Sequence, residues 1–226
     1  MEKFGNITLI NGDCMDYMAT LADKAYDLAI VDPPYGIGMG NKKTIGRRGK
    51  GKIKTVYKTG NWDIVPDVKY FHELQRVAKN YIIWGANYFS NLIDMSKMSW
   101  IVWSKNYINP NMTFGMGELA VYSGKYPLQI FECHHEGNSI SNNERKAKAC
   151  MKIHQCQKPV TLYKWLLKTY AKEGDKILDT HLGSGSICLA VHDWGDEMTG
   201  IELDVDNYNG AKNRLIQHQA QQRISF

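Results

Sequence analysis

No apolar run in this chain of 226 residues approaches the ~20 that a membrane-spanning helix needs. The opening Met-Glu-Lys-Phe-Gly carries no apolar core of the kind a secretory leader needs. Both absences predict a cytoplasmic protein with no membrane partner. Cysteine is scarce and scattered, at Cys14, Cys133, Cys150, Cys156 and Cys188. An odd number in a cytoplasmic chain argues against a disulfide framework. No two of them have Cys-x-x-Cys spacing, so the expectation is reduced thiols and no metal site.

One stretch lacks acids altogether. Between Asn41 and Lys58 stand Lys42, Lys43, Arg47, Arg48, Lys50, Lys52, Lys54 and Lys58, with no Asp or Glu among them. The formal net charge of the whole chain is only +5, so this block concentrates positive charge that is balanced elsewhere. A polyanion fits such a block, and nucleic acid is the obvious one. The alternative is a solvated loop without a partner.

Proline is sparse as well, and two of the six stand together in Asp32-Pro33-Pro34-Tyr35. The apolar run Leu28-Ala29-Ile30-Val31 leads into this tetrapeptide, and Gly36 and Gly38 follow it. A buried strand ends here at a stiff corner. Each proline fixes its own φ and donates no N–H, and Pro33 biases Asp32 towards an extended shape. A carboxylate, backbone carbonyls and an aromatic ring are thereby held in fixed relative positions. A plain turn is the competing reading, because Asp-Pro-Pro is an ordinary turn sequence.

Along the rest of the chain, short apolar strands alternate with helices. Strands are expected over 7–10, 27–31, 81–84, 100–103, 176–178 and 198–201. A hairpin is expected between 119–122 and 128–131. Helices are expected over 14–20, 68–80, 158–172, 183–194 and 205–219, with Asp13 and Asp204 as caps. This alternation predicts a three-layer α/β fold with a mainly parallel sheet and a single domain over 1–226. Segments 36–61 and 133–156 have no clear periodicity and read as long loops, which in compact domains are usually functional or disordered.

A second site lies in Asp179-Thr180-His181-Leu182-Gly183-Ser184-Gly185-Ser186, between a strand and a helix. A glycine-rich turn of this kind lets a ligand approach the backbone. One strand later comes Glu202, placed to accept hydrogen bonds from ribose hydroxyls. The turn has no Gly-Lys-Ser/Thr and so is no P-loop, and it lacks the third glycine of a dinucleotide site. S-adenosyl-L-methionine (SAM), with one nucleoside and one amino-acid part, fits best.

Asp32-Pro33-Pro34-Tyr35 after a buried strand, followed much later by Asp179-x-x-x-Gly183-x-Gly185 and Glu202, resembles the amino-methylating DNA methyltransferases in their permuted β arrangement. Gln157-Lys158-Pro159, Tyr81 to Tyr88 and Trp100 to Trp103 carry the same resemblance, which covers nearly the whole chain. It implies a Rossmann-like, SAM-dependent methyltransferase fold with a seven-stranded, mostly parallel sheet. It implies that the first strand lies beside the SAM strands, that Asp13 and Cys14 lie near the cofactor's adenine, and that Lys158 lies near its methionine part. Asp179, Thr180, His181, Gly183, Ser184, Gly185 and Glu202 complete the implied cofactor site.

The catalytic residues implied are Asp32, Pro33, Pro34 and Tyr35. Asp32 and the Pro33 carbonyl accept the amine hydrogens of a target base, adenine N6 by family habit, and Tyr35 stacks on that base after it leaves the duplex. N4 of cytosine is the alternative target, and a non-catalytic DNA-binding regulator is the reading from another class. A cysteine nucleophile for cytosine C5 is not expected, since no Pro is followed by Cys. The partner is double-stranded DNA, contacted by Lys42 to Lys58, with base readout assigned to 106–117 and 133–152. Without a large recognition domain, either the target is short or a homodimer shares the work. One departure stands out: the family usually has Phe where this chain has His181, a side chain that can titrate near neutral pH.

Overall fold

The structure, a computed structural model, describes residues 1–41, 60, 62–105, 115–133 and 156–221. Its elements in chain order are β1 (Glu2–Phe4), β2 (Ile7–Asn11), α1 (Cys14–Ala19), β3 (Tyr26–Val31), α2 (Val68–Val77), β4 (Ala78–Trp84), β5 (Ser99–Ser104), β6 (Gly117–Tyr122), β7 (Gln129–Glu132), α3 (Val160–Tyr170), β8 (Ile177–Asp179), α4 (Ser186–Trp194), β9 (Met198–Glu202) and α5 (Val205–Gln219).

The apolar run of β3 determines where this strand can lie. Leu28 and Ile30 enter one core while Ala29 and Val31 enter another. A strand apolar on both faces needs cover on both, and β3 sits inside the sheet. The first core takes Leu162 and Leu166 of α3, Ile187 and Val191 of α4, and Ala211 and Leu215 of α5. The second takes Met18 of α1 with Phe71, Leu74 and Val77 of α2. Three layers result: α1 and α2, the sheet, then α3 to α5.

The sheet order is β1-β2-β9-β8-β3-β4-β6-β5-β7. Neighbours are parallel from β2 to β4. β6 runs antiparallel to both β4 and β5. The first long strand does lie beside β9, pairing Ile10 with Ile201.

The sheet has nine strands where the resemblance implied seven and the strand pattern eight. The strand added to that pattern is β1, at one edge; β7, at the other, overlaps the expected 128–131. β1 turns through Gly5, at φ 64°, and pairs antiparallel with β2. β7 pairs parallel with β5, Ile101 opposite Gln129. The expected hairpin between β6 and β7 therefore does not form. β4 and β5 already occupy both edges of β6, so β7 has only the outer edge of β5 to join.

Asp13 and Asp204 cap α1 and α5 as expected, accepting from Met15 N at 2.8 Å and from Asp206 N at 2.9 Å. Such caps stabilise a helix by about 1 kcal/mol each. No helix among the described residues is long and apolar enough to cross a membrane.

β3 and β8 are neighbours, with Leu28 opposite Ile177. From β8 the chain winds through α4 to β9 on one side; from β3 it winds through α2 to β4 on the other. The winding reverses between them, and a crevice opens beyond the carboxyl ends of both strands. Asp32 follows β3 directly, and Thr180 follows β8.

Candidate active site

β3 delivers Asp32 into this crevice, and Pro33 and Pro34 end the strand because neither can donate to a ladder. Asp32 Oδ1 accepts from the Tyr35 hydroxyl at 2.5 Å. Asp32 Oδ2 is 2.5 Å from Lys158 Nζ. The same ammonium lies 3.2 Å from Glu118 Oε2 and 3.3 Å from the Tyr35 hydroxyl. Glu118 Oε1 in turn accepts from Lys105 Nζ at 2.6 Å. Carboxylate and ammonium thus alternate along Asp32, Lys158, Glu118 and Lys105.

Lys158 is only 4% exposed, and a lysine that deep needs partners. Burial alone would lower its pKa, but Asp32 and Glu118 hold it above the usual lysine value. Burial would likewise raise the Glu118 carboxyl, but Lys158 and Lys105 prevail and bring it down to about 2.

The Tyr35 ring lies against Gly85, whose φ is 70°; a Cβ there would come within 2.2 Å of the ring. Tyr88 stacks on Tyr35 at 5.1 Å and 19°, and Phe89 meets it edge-on at 6.1 Å. Burial, then the charges of Asp32 and Glu118, push the Tyr35 hydroxyl well above its ordinary range, so it donates towards Asp32.

On the β8 side, Glu202 holds the glycine turn. Its Oε2 accepts from Gly183 N at 2.7 Å and its Oε1 from Asp204 N at 2.9 Å. Its carbonyl accepts from Gly12 N at 3.0 Å, which brings the start of α1 alongside. Burial raises the Glu202 carboxyl. Burial also raises Asp179, to about 8, against a hydrogen bond from His181 N at 3.0 Å.

His181 Nδ1 is 2.9 Å from Thr180 Oγ1, and the Tyr70 ring meets the imidazole edge-on at 5.1 Å. Enclosure lowers the imidazole to about 4, with Asp13 opposing the shift. This corrects the expectation of titration near neutral pH: the ring is neutral there. Behind the turn, Arg214 of α5 donates to Ser184 O at 3.0 Å and Ser186 Oγ at 2.8 Å.

One continuous cavity of about 1320 Å³ joins the two sides, with Asp32, Tyr35 and Lys158 sharing its wall with Gly183 and Glu202. A pocket for one drug-sized ligand is about 300–1,000 Å³, so this cavity has room for two reactants together. The family model described as "DNA methylase", of the N6/N4 methyltransferase type, matches residues 26–213. The chain belongs to the N6/N4 DNA methylase family.

Among the curated relatives of this methylase is the type II methyltransferase M2.DpnII of Streptococcus pneumoniae, 22% identical across 92% of this chain and 88% of the relative. Among solved structures, the M1.HpyAVI–SAM complex has a TM-score of 0.58 at 19% identity, covering 92% of this chain and 98% of that one. The PvuII DNA methyltransferase, described as cytosine-N4-specific, has a TM-score of 0.63 at 11% identity, covering 99% of this chain and 89% of that one. Both structural likenesses are likenesses of fold. The three-layer methyltransferase class expected from the sequence is the class found.

Of the residues expected in the methylase site, Asp13, Cys14, Asp32, Pro33, Pro34, Tyr35, Lys158, Thr180, His181, Gly183, Ser184 and Glu202 all line the cavity. Asp179 and Gly185 lie behind its wall. Asp179 is 2% exposed beneath the turn. A Cβ on Gly185 would meet Ala211 of α5 at 2.8 Å, so this glycine permits close helix packing. The Lys158 ammonium, expected beside the methionine part of a cofactor, contacts Asp32, Glu118 and Tyr35. Lys42, Lys43, Arg47, Arg48, Lys50, Lys52, Lys54 and Lys58 lie outside the described residues, as do 106–114 and 134–152 of the expected readout segments.

Five residues of the site escaped the sequence reading. Glu118 and Lys105 are brought together by the β5–β6 register, which sequence distance conceals; the available signal was an acid beside the apolar Leu119 to Tyr122 strand. Gly85 and Tyr88 form the wall behind Tyr35. Asp63 accepts from Gly36 N at 2.8 Å and Met39 N at 2.6 Å, folding the chain after Tyr35 back towards the cavity.

Proposed function

We propose that this DNA methylase transfers a methyl group from SAM to the exocyclic N6 of an adenine extruded from duplex DNA, with the chain acting as one catalytic domain. The observation that carries this reading is Asp32, fixed at the end of β3 in one cavity with Gly183 and Glu202. Glu202 suits ribose hydroxyls, the Gly183 backbone leaves room for close approach, and Asp13 and Cys14 flank the nucleoside side. The bound cofactor supplies a sulfonium methyl, an electrophile that needs a well-placed nucleophile.

The chain's part is that placement. An adenine amine is a poor nucleophile because its lone pair is delocalised into the ring. Asp32 and the Pro33 carbonyl accept its two N–H hydrogens, which favours a pyramidal nitrogen with a free lone pair. Asp32 then takes the proton the amine releases. Tyr35, braced by Gly85 and by the Asp32 and Lys158 contacts, offers an aromatic surface to the base. Base–aromatic stacking is worth about 1–3 kcal/mol, which offsets part of the unstacking cost of extrusion.

Asp before Pro-Pro-Tyr favours adenine within the family resemblance. Cytosine N4 is the second reading, favoured by the fold likeness to an enzyme described as cytosine-N4-specific. Incubation with labelled SAM and duplex DNA tests the proposal. Label is expected in adenine, and Asp32→Ala is expected to abolish transfer while SAM binding persists. Label retained in the Asp32→Ala variant would remove Asp32 from its assigned role.

A further inference from the structure

Besides the tetrapeptide and the glycine turn, the described residues hold one more built polar feature inside the cavity, the row Asp32, Lys158, Glu118 and Lys105. An ammonium has three N–H donors. Those of Lys158 are matched by Asp32 Oδ2 at 2.5 Å, Glu118 Oε2 at 3.2 Å and the Tyr35 hydroxyl at 3.3 Å. The ammonium also sits 5.2 Å from the Trp84 ring and 5.7 Å from the Tyr35 ring. In such surroundings, with little water, ion pairing is strong and the choice of partner matters.

The two ends of the row differ in rigidity. Asp32 stands on the loop that leaves β3. Glu118 stands within β6, paired with Trp103 of β5, and Lys105 follows β5 directly. Lys105 Nζ is itself 4.9 Å from the Trp103 ring. The sheet therefore fixes Glu118, and Glu118 holds Lys158 from the side opposite Asp32. Without that hold, Lys158 would have one carboxylate partner and would close onto it.

We infer that Glu118 is a positioning residue for methyl transfer: it shares the Lys158 ammonium with Asp32 and so keeps Lys158 from occluding the carboxylate that must receive the substrate amine. The inference rests on the reading of Asp32 given under Proposed function. A simple structural ion cluster would need the same charges, but it would not tie the rate to their balance. Besides the four charges themselves, the titratable groups facing them include Tyr35, Tyr70 of α2, Cys156, Tyr163 of α3 and Asp179 of β8.

Two variants of the full chain separate the cases. Glu118→Gln keeps the shape and an acceptor but removes a negative charge. Its kcat is expected to fall by about tenfold or more while KM for DNA and SAM stays within about twofold, the split left by losing a transition-state interaction. The acid limb of its kcat–pH profile moves to lower pH, because the row takes up a proton less readily. Lys105→Met removes a positive charge from the other end, and its acid limb moves to higher pH. Glu118→Asp, which keeps the charge, restores part of the rate.

Should Glu118→Gln fail to fold, Lys105→Met carries the test alone. Wild-type kcat in Glu118→Gln, or limbs that stay put or move the same way in both variants, overturns the inference. Methyl transfer by wild-type protein that survives Asp32→Ala defeats the reading of Asp32 instead, and is distinguished by that variant.

Discussion

Asp179 is a carboxyl held where water does not reach it, at 2% exposure beneath the glycine turn. Burial raises its pKa to about 8. The direction of the linkage follows from that. A raised folded pKa favours the protonated form in the fold, so the stabilising contribution is complete below the unfolded value of about 3.9 and is lost as pH rises towards about 8. Asp179→Asn cannot ionise and escapes that loss. The melting temperature of Asp179→Asn is expected to gain on wild type steadily from pH 4 to pH 8. Thermal unfolding across that range measures it; a difference that does not change with pH would contradict the assignment. At this scale the sequence was a partial guide. Asp32 and Glu202 announced themselves by following apolar strands, and both line the cavity. The destination of the Lys158 ammonium was hidden, because its partners Asp32, on the loop after β3, and Glu118, on β6, are far away in sequence.

Among the elements, the link between β4 and the aromatic wall carries the tightest constraint. β4 ends at Trp84, Gly85 turns with φ 70°, and a short 3-10 turn over Ala86–Tyr88 follows. Left-handed backbone costs a non-glycine residue about 1–3 kcal/mol, and here a Cβ would also strike the Tyr35 ring. Gly85→Ala is expected to lower stability by about that amount and to cut methyl transfer well beyond the loss of folded protein, because Tyr35 must shift. Chemical denaturation beside a transfer assay checks both; unchanged transfer would show that the ring position does not matter. The elements themselves were largely legible. Helix caps at Asp13 and Asp204 and the apolar run of β3 identified their elements through local chemistry. The partnering of β7 was not legible, since a short strand reports its own pattern and says nothing of which edge is free. In the fold, β4 and β5 take both edges of β6, and β7 takes the outer edge of β5.

At the scale of the molecule, chain order pointed to the family: the strand leading to Asp32-Pro33-Pro34-Tyr35 comes first and the glycine turn late, and the resemblance this carries implied the position of β2 beside β9. The sheet converts that order into proximity, since β3 and β8 are neighbours at the point where winding reverses. The edge strand β1 was not foreseen, because a strand so short has almost no periodicity to read. The lysine-rich segment follows Tyr35 closely in sequence, and we propose that it contacts DNA phosphates. Neutralising Lys50, Lys52 and Lys54 is then expected to weaken duplex binding and to flatten its salt dependence, by about 0.9 in the log–log slope for each phosphate that these lysines cease to neutralise. An unchanged slope removes this role.

We propose that Asp32 holds the exocyclic amine of one extruded adenine beside a methyl donor. The most direct measurement is to incubate the protein with labelled SAM and duplex DNA, digest the product and identify the methylated nucleoside. N6-methyladenine is expected in wild-type reactions and none with Asp32→Ala. Label found in N4-methylcytosine, or in no base at all, would contradict it.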